Sequence, residues 1–366
     1  MNTLRGIGVL GVGVWDGPVV TNDAFPEIAR SAVPIDPYKG RRDDDGVIRI
    51  AGLELRMETH PRTLAALQKG FADPFRGSVR RCILPRELPM SHAEADAGRA
   101  ALAHAGLAAD DIDILLTQSF LPDELQPKNA ALVAHHLGIT RAAAWEVDSI
   151  CNSAVSQLQV ASALISSGQA RHVLCTQSVA YSRVRDPGVS ASFQEGDLAT
   201  AFVVGPSPGS ELTFAWETDG SLHAAIRLAW DAPTGSAPRR WWEQAPERLV
   251  IRWEDKLQQQ VMAEVGEHAK NVCQLALGRA GVALEEIDVF VTHHPMNWFV
   301  AFMEDTLGLR DGISVSTFED YASVNSACVP ASMRRGIDEG RIARGSRVLL
   351  FCPGAGYTYG AAVMRW

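Results

Sequence analysis

The chain repeats one segment of its own sequence. Residues 101–119 (ALAHAGLAADDIDILLTQS) match residues 276–294 (ALGRAGVALEEIDVFVTHH) at a constant offset of 175 positions. Each copy predicts the end of a helix, a short acidic turn and an apolar strand that is buried on both faces. The units of solenoid proteins are only ~20–50 residues long. The repeat therefore predicts a duplicated α/β domain.

A second pair of matching segments extends the duplication. Residues 165–178 (ISSGQARHVLCTQS) resemble residues 337–354 (IDEGRIARGSRVLLFCPG), and both predict a helix end, a glycine and a buried strand. We predict a first half at 1–205 and a second half at 211–366, joined by the turn-forming PSPGS segment between them. Helices that alternate with strands favour mostly parallel sheets covered by helices.

Size, composition and charge exclude several classes of protein. With 366 residues, of which 46% are hydrophobic and 21% charged, the chain is predicted to be a soluble globular protein. A net charge of −9 argues against a nucleic-acid partner, and no run reaches the ~18 apolar residues of a membrane span. Six cysteines without a CxxC pair or zinc-ligand spacing predict a reduced, cytoplasmic protein without disulfides. The charged stretch at 36–62 is interpreted as part of a surface insertion at about 30–75.

One cysteine stands at the start of a predicted amphipathic helix. In residues 153–168 (SAVSQLQVASALISSG) the apolar side chains recur at spacings of three and four, and Gly168 supplies a C-terminal stop. Cys151 precedes this helix, where free backbone N–H groups and the helix dipole stabilise a thiolate. We predict a pKa of the Cys151 thiol below the ~8.5 of a free cysteine. The alternative is that Cys151 is only a small buried hydrophobic residue.

The duplication predicts which residues meet. Cys151 and Ser323 each lie 17 residues before a glycine, Gly168 and Gly340, so we predict that they open equivalent helices. Ser119 and His294 end equivalent strands in the two copies of the repeat. In open α/β sheets the chemistry collects at the carboxyl ends of strands and the adjoining helix starts. Cys151, His294 and the Ser323 loop are therefore expected to converge on one central site.

Four motifs have counterparts in one enzyme family. The tail GAGYTYGAAVMRW at 354–366 is close to a closing GxGxTxGAxxxRW pattern. Residues 148–153 match a nucleophile region, Gly196-Asp197 matches a GDG turn, and the HPMN segment at 294–297 stands where the family has His-Gln-Ala-Asn. Together these motifs resemble the thiolase-like condensing enzymes, specifically the ketoacyl-ACP synthase III branch. The resemblance covers nearly the whole chain and implies the duplicated, five-layered αβαβα thiolase-like fold.

The resemblance also implies a role for individual residues. Cys151 would be the acyl-accepting nucleophile and His294 the catalytic imidazole, with Asn297 lining the substrate site. The backbone amides of Cys151 and Ala355 would form the oxyanion hole, in which one donor is worth ~3–4 kcal/mol. No metal or cofactor is implied beyond the acyl thioester on a carrier protein or on CoA.

The chain departs from the family at the third catalytic position. The family has an asparagine there, and the ungapped match places Ser323 at this position, with Asn325 two residues further on. In decarboxylating members, the histidine and asparagine together stabilise the enolate formed from a malonyl thioester. The side chain of Ser323 is shorter, so we expect ordinary malonyl decarboxylation to be disfavoured.

Other departures affect the substrate entrance. The family's adenine-stacking tryptophan matches Ala72, and a phosphate-binding arginine matches Phe299, whereas a CoA-binding arginine is retained as Arg76. These changes favour a carrier-protein thioester over free CoA. Gln126-Pro127 stands where the family has a Phe-Pro that one subunit contributes to its neighbour's acyl pocket, so a homodimer and an acyl group with polar atoms are implied.

Several other features have competing interpretations. His293 beside His294 has no third ligand at a suitable spacing, so no metal site is expected there. Glycines 6, 8 and 11 formally match a dinucleotide fingerprint, but too few residues precede them, and packing glycines in a core strand are predicted instead. Four cysteines in apolar contexts are interpreted as core residues: Cys175, Cys273, Cys328 and Cys352.

Two surface features are left with two interpretations each. The tryptophan-rich stretch at 216–253 is either packing on the second half or a lid over the entrance. A set of arginines in the second half forms either a docking stripe for an acidic carrier protein or a solvated helix face: Arg334, Arg335, Arg341, Arg344 and Arg347.

We predict an acyltransferase of secondary metabolism, for example in polyketide or antibiotic biosynthesis. Cys151 takes an acyl group from a carrier-protein or CoA thioester, and His294, with Ser323 or Asn325, directs its transfer to an O, N or C nucleophile of a small-molecule acceptor. One alternative is a decarboxylative β-ketoacyl-ACP synthase III that primes fatty acid or polyketide synthesis. The other is a non-catalytic partner subunit of a synthase.

Overall fold

A computed structural model of the protein describes residues 3–15, 17–25, 46–50, 52–71, 73–184, 194–230 and 249–366. The strands within these ranges are β1 (Leu4–Val14), β2 (Val19–Thr21), β3 (Ile48–Ile50), β4 (Leu53–Leu55), β5 (Arg80–Cys82), β6 (Ile114–Phe120), β7 (Ala143–Glu146), β8 (Val173–Ala180), β9 (Asp197–Thr218), β10 (Ile226–Trp230), β11 (Leu249–Trp253), β12 (Val289–Thr292), β13 (Arg347–Gly354) and β14 (Thr358–Arg365). The α-helices are α1 (Pro61–Phe71), α2 (Met90–Ala105), α3 (Ala130–Leu137), α4 (Ser153–Ser166), α5 (Asp255–Ala280), α6 (Phe299–Leu307), α7 (Phe318–Tyr321) and α8 (Cys328–Asp338).

The predicted duplication is visible in the backbone. Helices α2 and α5 end at Gly106 and Gly281, whose φ and ψ are 67° and 32° in the first copy and 67° and 33° in the second. Each glycine is followed by a short 3₁₀ turn and a buried strand, β6 or β12. Two copies of one sequence segment thus adopt one conformation.

A mixed sheet forms the centre of the described structure. Its strand order is β12-β13-β14-β9-β8-β6-β7, with β1 paired to β9. The pairs β6–β7, β6–β8 and β12–β13 are parallel, and the pairs that involve β1, β9 or β14 are antiparallel. The prediction of mostly parallel sheets was therefore wrong. Only three residues connect β13 to β14, and so short a connection can join antiparallel strands but not parallel ones.

The two halves are joined by a continuous strand. The first part of β9, Asp197 to Val204, pairs with β8, whereas its last part, Glu211 to Thr218, pairs with β14. The pairing partner changes at the predicted junction, residues 206–210, where the strand bulges: Arg5 and Ile7 of β1 pair with Glu211 and Pro206, and Gly209 has a φ of 88°. The junction is therefore an irregular segment within one shared strand.

The contacts between helices and strands define the layers of the fold. Helix α4 contacts β8 and β9 as well as β13 and β14, so it lies between the two halves, together with α8. Helices α2 and α3 pack on the outside of the first half, and α5 and α6 cover the second half. The two parts of the sheet, which β9 joins, are thus separated by α4 and α8 and covered by helices on their outer faces, which is the predicted αβαβα arrangement. Within the described residues, no helix has the length and apolar character needed to cross a membrane.

The glycines of β1 serve close packing, as predicted. A methyl group on Gly13 would lie 2.2 Å from the carbonyl oxygen of Ala97, and one on Gly11 would lie 2.5 Å from the backbone nitrogen of Ala105. Both contacts are with the backbone of α2, which cannot move aside like a flexible side chain. The absence of side chains here lets α2 rest directly on the strand.

Part of the predicted insertion lies outside the described residues. Residues 26–45, 51 and 72 are not described, whereas the described residues of 46–62 contribute the paired strands of the β3–β4 hairpin and the start of α1. The apolar side chains of this hairpin are buried in the core of the second half. This described part is thus integrated into the fold and is not a free surface loop.

Candidate active site

Cys151 lies in a strained turn at the start of α4. The residue before it, Ile150, has a φ of 52°, which is unusual for a β-branched side chain. A single 3₁₀ turn, Ile150–Asn152, leads into α4. The Asp148 carboxylate accepts the Ile150 N–H at 2.7 Å and lies 3.5 Å from the Lys128 ammonium. Such strain costs of order 1–3 kcal/mol and persists where the surroundings fix it, often at functional sites.

The second half contains the same turn, but not at Ser323. Asn325 has a φ of 51° and begins a 3₁₀ turn, Asn325–Ala327, that leads into α8. The structural equivalent of Cys151 is therefore Ser326, and the predicted equivalence with Ser323 was wrong. Counting back from the glycines failed because α8 has 11 residues and α4 has 14.

The loop between β13 and β14 rests on the cysteine turn. A methyl group on Gly354 would lie 2.5 Å from the Ser149 carbonyl oxygen, so this contact requires glycine. The Asn152 amide also donates to the Thr358 carbonyl at 3.2 Å. The backbone N–H groups of Ala355 and Cys151 lie close enough to the Cys151 sulfur to lower its pKa. The two amides expected to form the oxyanion hole thus meet at the sulfur.

The thiol of Cys151 is nevertheless protonated at neutral pH. Burial is the largest influence and raises its pKa to about 12, and the nearby charge of Asp148 acts in the same direction. The amides of Ala355 and Cys151 only partly oppose this shift. The prediction of a pKa below that of a free cysteine is therefore contradicted. Desolvation destabilises the thiolate more than the helix start and the two amides stabilise it.

The predicted catalytic imidazole, His294, is completely buried just beyond β12. Its Nδ1 lies 3.3 Å from the Thr292 carbonyl oxygen, and because a carbonyl only accepts, Nδ1 carries the proton. Its Nε2 therefore accepts a hydrogen bond from the Thr317 hydroxyl at 3.4 Å. Burial lowers the pKa of His294 to about 4, so the ring is neutral and can accept a proton.

The neighbouring His293 makes the contact with sulfur. Its Nδ1 lies 3.2 Å from the Cys328 sulfur, and burial lowers its pKa to about 3. The Cys328 thiol, whose pKa burial raises, is also close enough to Cys151 for the charge of Cys151 to raise it further. Cys328, interpreted from sequence as a core residue, thus lies beside the site. Its apolar sequence neighbours gave no signal of this.

Asn325 is held by hydrogen bonds of its own. Its Nδ2 donates to the Tyr181 hydroxyl at 3.1 Å, and its Oδ1 accepts the N–H of Ser326 at 2.7 Å. The charge of Cys151 raises the pKa of Tyr181, which places this tyrosine near the sulfur. Tyr181 was not found from the sequence.

Ser323 is tied to the GD turn of the first half. Its backbone N–H donates to the Gln194 carbonyl at 2.9 Å, and its carbonyl accepts the Gly196 N–H at 3.0 Å. A methyl group on Gly196 would lie 2.3 Å from the Tyr321 carbonyl oxygen. Asp197 is buried and accepts the N–H groups of Leu84 and Ser182. The Gly-Asp pair therefore positions the Ser323 loop.

Two of the predicted entrance residues meet at the end of α1. The Arg76 guanidinium donates to the Gly70 carbonyl at 3.3 Å, and a methyl group on Gly70 would lie 2.3 Å from the Asn297 amide nitrogen. Phe299 is only 3% exposed and packs in the core of the second half, so the structure gives it a packing role and not a ligand contact. Ala72 lies outside the described residues.

Gln126 lies on an exposed loop between β6 and α3. The adjacent Leu125 is 63% exposed, which is unusual for a large apolar side chain. The base of the loop is fixed, because the Asp123 carboxylate accepts the N–H of Met90 at 2.7 Å at the start of α2. A rigid base thus presents an apolar tip to the exterior.

The two surface features are resolved only in part. Trp216 packs against Gly360, and Trp253 is 52% exposed on the β10–β11 hairpin. Residues 231–248, which include Trp241 and Trp242, lie outside the described residues. Most of the arginines in the predicted stripe have acidic partners. The ion pairs are Arg334–Asp338, Arg335–Asp320 and Arg347–Glu286. These contacts favour the interpretation of the arginine stripe as a solvated helix face.

The fold and the site define a class of protein: a thiolase-like condensing enzyme with a cysteine where two backbone amides converge. Comparisons with known proteins agree. Models for 3-oxoacyl-[acyl-carrier-protein (ACP)] synthase III match residues 145–220 and, for its C-terminal part, residues 277–366. The β-ketoacyl-[acyl-carrier-protein] synthase III of Rhodospirillum centenum is 30% identical over 275 residues, which is 74% of this chain and 82% of that protein. That of Thiobacillus denitrificans is 31% identical over 277 residues, with the same coverage.

Solved structures show the same fold. The 3-oxoacyl-[acyl-carrier-protein] synthase III of Aquifex aeolicus superposes with a TM-score of 0.75 at 22% identity and covers 99% of this chain and 100% of that one. Cerulenin-bound OleA of Xanthomonas campestris gives 0.73 at 17% identity and covers 100% of this chain and 98% of that one. The chain belongs to the 3-oxoacyl-[acyl-carrier-protein] synthase III family. It is an acyl-transferring enzyme, and the family's chemistry needs no metal or cofactor beyond the acyl thioester.

Proposed function

We propose that the protein transfers an acyl group by way of Cys151 to an O, N or C nucleophile of a second substrate, without decarboxylating a malonyl thioester. The donor is a thioester of a carrier protein, or of CoA, and the setting is the biosynthesis of a secondary metabolite in the cytoplasm. The observation that carries the choice of a non-decarboxylating reaction is the arrangement around Asn325, whose amide is bound to Tyr181 and Ser326.

The first step forms an acyl-enzyme. The Cys151 sulfur bonds to the thioester carbonyl carbon while the carbon–sulfur bond of the donor breaks, and the thiol proton ends on the departing thiol. Negative charge develops on the carbonyl oxygen during this step. The amides of Cys151 and Ala355, which already converge on the sulfur, are positioned to donate to that oxygen.

The second step returns the cysteine to its starting state. The acceptor's nucleophilic atom bonds to the acyl carbon, its proton passes to an imidazole, and the Cys151 sulfur leaves and regains a proton. His294 would take this proton at Nε2 in place of its hydrogen bond from Thr317, while Thr292 holds its Nδ1–H. Its lowered pKa keeps the ring unprotonated at neutral pH.

Decarboxylation would need an amide donor beside the imidazole to stabilise the enolate. The position that matches the family's asparagine is Ser323, whose hydroxyl is shorter than an amide side chain. Asn325 lies two residues further on, and its amide is oriented by Tyr181, which accepts one of its two N–H groups, and by Ser326, which donates to its oxygen. The alternative function, a decarboxylative synthase that primes chain synthesis, is favoured by the names of the relatives.

The two functions differ in carbon dioxide release. The protein is acylated with a panel of acyl thioesters, identified by intact mass, and then given malonyl carrier protein labelled in the free carboxylate. We expect acylation of Cys151 and no release of label above that of Cys151→Ala. Ser323→Asn should increase the release, since it restores the amide. Rapid release by the wild type would refute the proposal, and failure of every donor to acylate Cys151 would favour a non-catalytic subunit.

We further infer that the protein is a homodimer that uses the exposed loop around Leu125 and Gln126. An apolar tip on a fixed base is suited to insertion into a neighbouring subunit. Sedimentation of the wild type should show a dimer, and Leu125→Glu should shift it toward the monomer. A wild-type monomer at micromolar concentration would contradict this inference.

A further inference from the structure

A group of metal-ligand side chains lies outside the active site, where α5 packs on β9 and β14. Asp219, just beyond β9, meets Glu264 and His268, which lie one turn apart on α5. Each offers one ligand atom, and these three atoms lie within 4.8 Å of one another. This spacing suits ligands that surround a single ion.

A buried hydroxyl points to a missing ligand. Tyr359 is 0% exposed, and its hydroxyl has no hydrogen-bond partner among the described residues. Its ring is stacked on His268, with centroids 4.2 Å apart and planes 12° from parallel. A buried hydroxyl without a partner is uncommon and calls for an explanation.

The Glu217 carboxylate lies beside His268, where a metal-binding histidine usually has a carboxylate neighbour. It lies directly opposite Tyr359 in the β9–β14 ladder. Its Oε2 is 3.1 Å from Nδ1 of His268, although the angle is poor and neither atom has a hydrogen bond within the described part of the chain. Histidines that bind metals typically direct their second ring nitrogen to a carboxylate, which fixes the orientation of the ring.

The charges of the group are unbalanced. In the part of the chain that the structure describes, the ion pairs include no Lys or Arg bound to Glu217, Asp219 or Glu264. Asp219 is bound through one oxygen to Ser221, and Glu264 accepts from Gln260. Three carboxylates close together repel one another, and a divalent cation would neutralise most of this charge.

We propose that Asp219, Glu264 and His268 bind a divalent transition-metal ion, for which Zn²⁺ is the best match. One imidazole and two carboxylates are ligands that Zn²⁺ accepts, and the Tyr359 hydroxyl or a water would complete four-fold coordination. The role is structural. The Asp219 N–H donates to the Tyr357 carbonyl at 2.9 Å, so the ion would link α5 to the strand that follows the Ala355 loop.

The test uses full-length protein without a histidine tag, stripped with a chelator and then desalted. Zn²⁺ is titrated by calorimetry, metal content is measured by elemental mass spectrometry, and Tm is recorded with and without Zn²⁺. We expect one Zn²⁺ per chain and a Tm that rises by a few degrees. Glu264→Gln should weaken the affinity at least tenfold, and Tyr359→Phe should weaken it several-fold while preserving the fold.

Glu267→Gln is the matched control, because it makes the same change on the same helix at an exposed carboxylate that pairs with Lys270. It should bind Zn²⁺ like the wild type. The proposal is overturned if the wild type binds no Zn²⁺, if Mg²⁺ binds as tightly, or if Glu264→Gln binds Zn²⁺ unchanged. Unchanged binding would assign the ion to another place, such as the stacked pair His92 and His136.

Discussion

Gly354→Ala tests whether the Ala355 amide is held in place by its contact with the cysteine turn. The new methyl group would lie 2.5 Å from the Ser149 carbonyl oxygen and 3.0 Å from Cβ of Asn152, and ordinary contact begins near 3.4 Å. Because the first contact is with backbone, the loop must retreat by about 0.9 Å or the cysteine turn must open. An error of ~1 Å in a catalytic group costs about 10²-fold in rate, and the loss of one oxyanion donor costs about 10²–10³-fold.

The assay is the rate at which an acyl thioester adds its acyl mass to Cys151, measured by quenched-flow mass spectrometry. We expect Gly354→Ala to slow acylation about 10²-fold, with thermal stability lowered by no more than a packing defect would explain. Gly278→Ala is the control, because a methyl group there meets nothing within 4 Å and lies on the exposed face of α5. Wild-type acylation by Gly354→Ala would refute the assignment of the Ala355 amide to the oxyanion hole.

Three more measurements test the effects of burial and packing. Alkylation of Cys151 by iodoacetamide should rise about tenfold per pH unit from pH 7 to 10, because its pKa is about 12; a plateau near pH 8.5 would contradict this. Glu94 is fully buried, and burial raises its pKa to about 7. Between pH 4.5 and 7 the folded protein therefore keeps a proton on Glu94 that the unfolded chain has lost. The free energy of unfolding should fall as pH rises through this range. In chemical denaturation, Glu94→Gln should reduce this pH-dependent decrease in the free energy of unfolding by up to about 3 kcal/mol. Identical pH profiles for the wild type and the variant would refute this prediction. Gly13→Ala should push α2 from β1 and lower Tm strongly, whereas an unchanged Tm would show that the helix can move.

The sequence was sufficient for the parts of the fold that repeat. The segments that end at Ser119 and His294 share one pattern of glycine, acidic turn and buried strand, and local chemistry determines all three. The direction of β14 was not predictable in the same way. It depends on the length of the turn at Ala355, and nothing in a run of buried apolar residues distinguishes parallel from antiparallel pairing.

The proximity of Cys151 and Ala355 could be predicted from the sequence, but the electrostatics around Cys151 could not. Cys151 and the Ala355 amide were found because a resemblance fixed both positions, and the structure brings them together. The contacts of His293 with Cys328, and of Asn325 with Tyr181, join elements that are far apart in the chain. The pKa of Cys151 was mispredicted because the helix start is a local feature, whereas burial depends on how both halves close around it.

Burial also constrains how the first proton moves. It raises the pKa of Cys151 to about 12 and lowers that of His294 to about 4, so both groups are neutral in the resting site. These opposite shifts of the two pKa values disfavour a preformed thiolate–imidazolium pair. The sulfur should therefore lose its proton only as it bonds to the thioester carbon, when charge passes to the carbonyl oxygen. In the proposed mechanism, the Cys151 and Ala355 amides stabilise that oxygen.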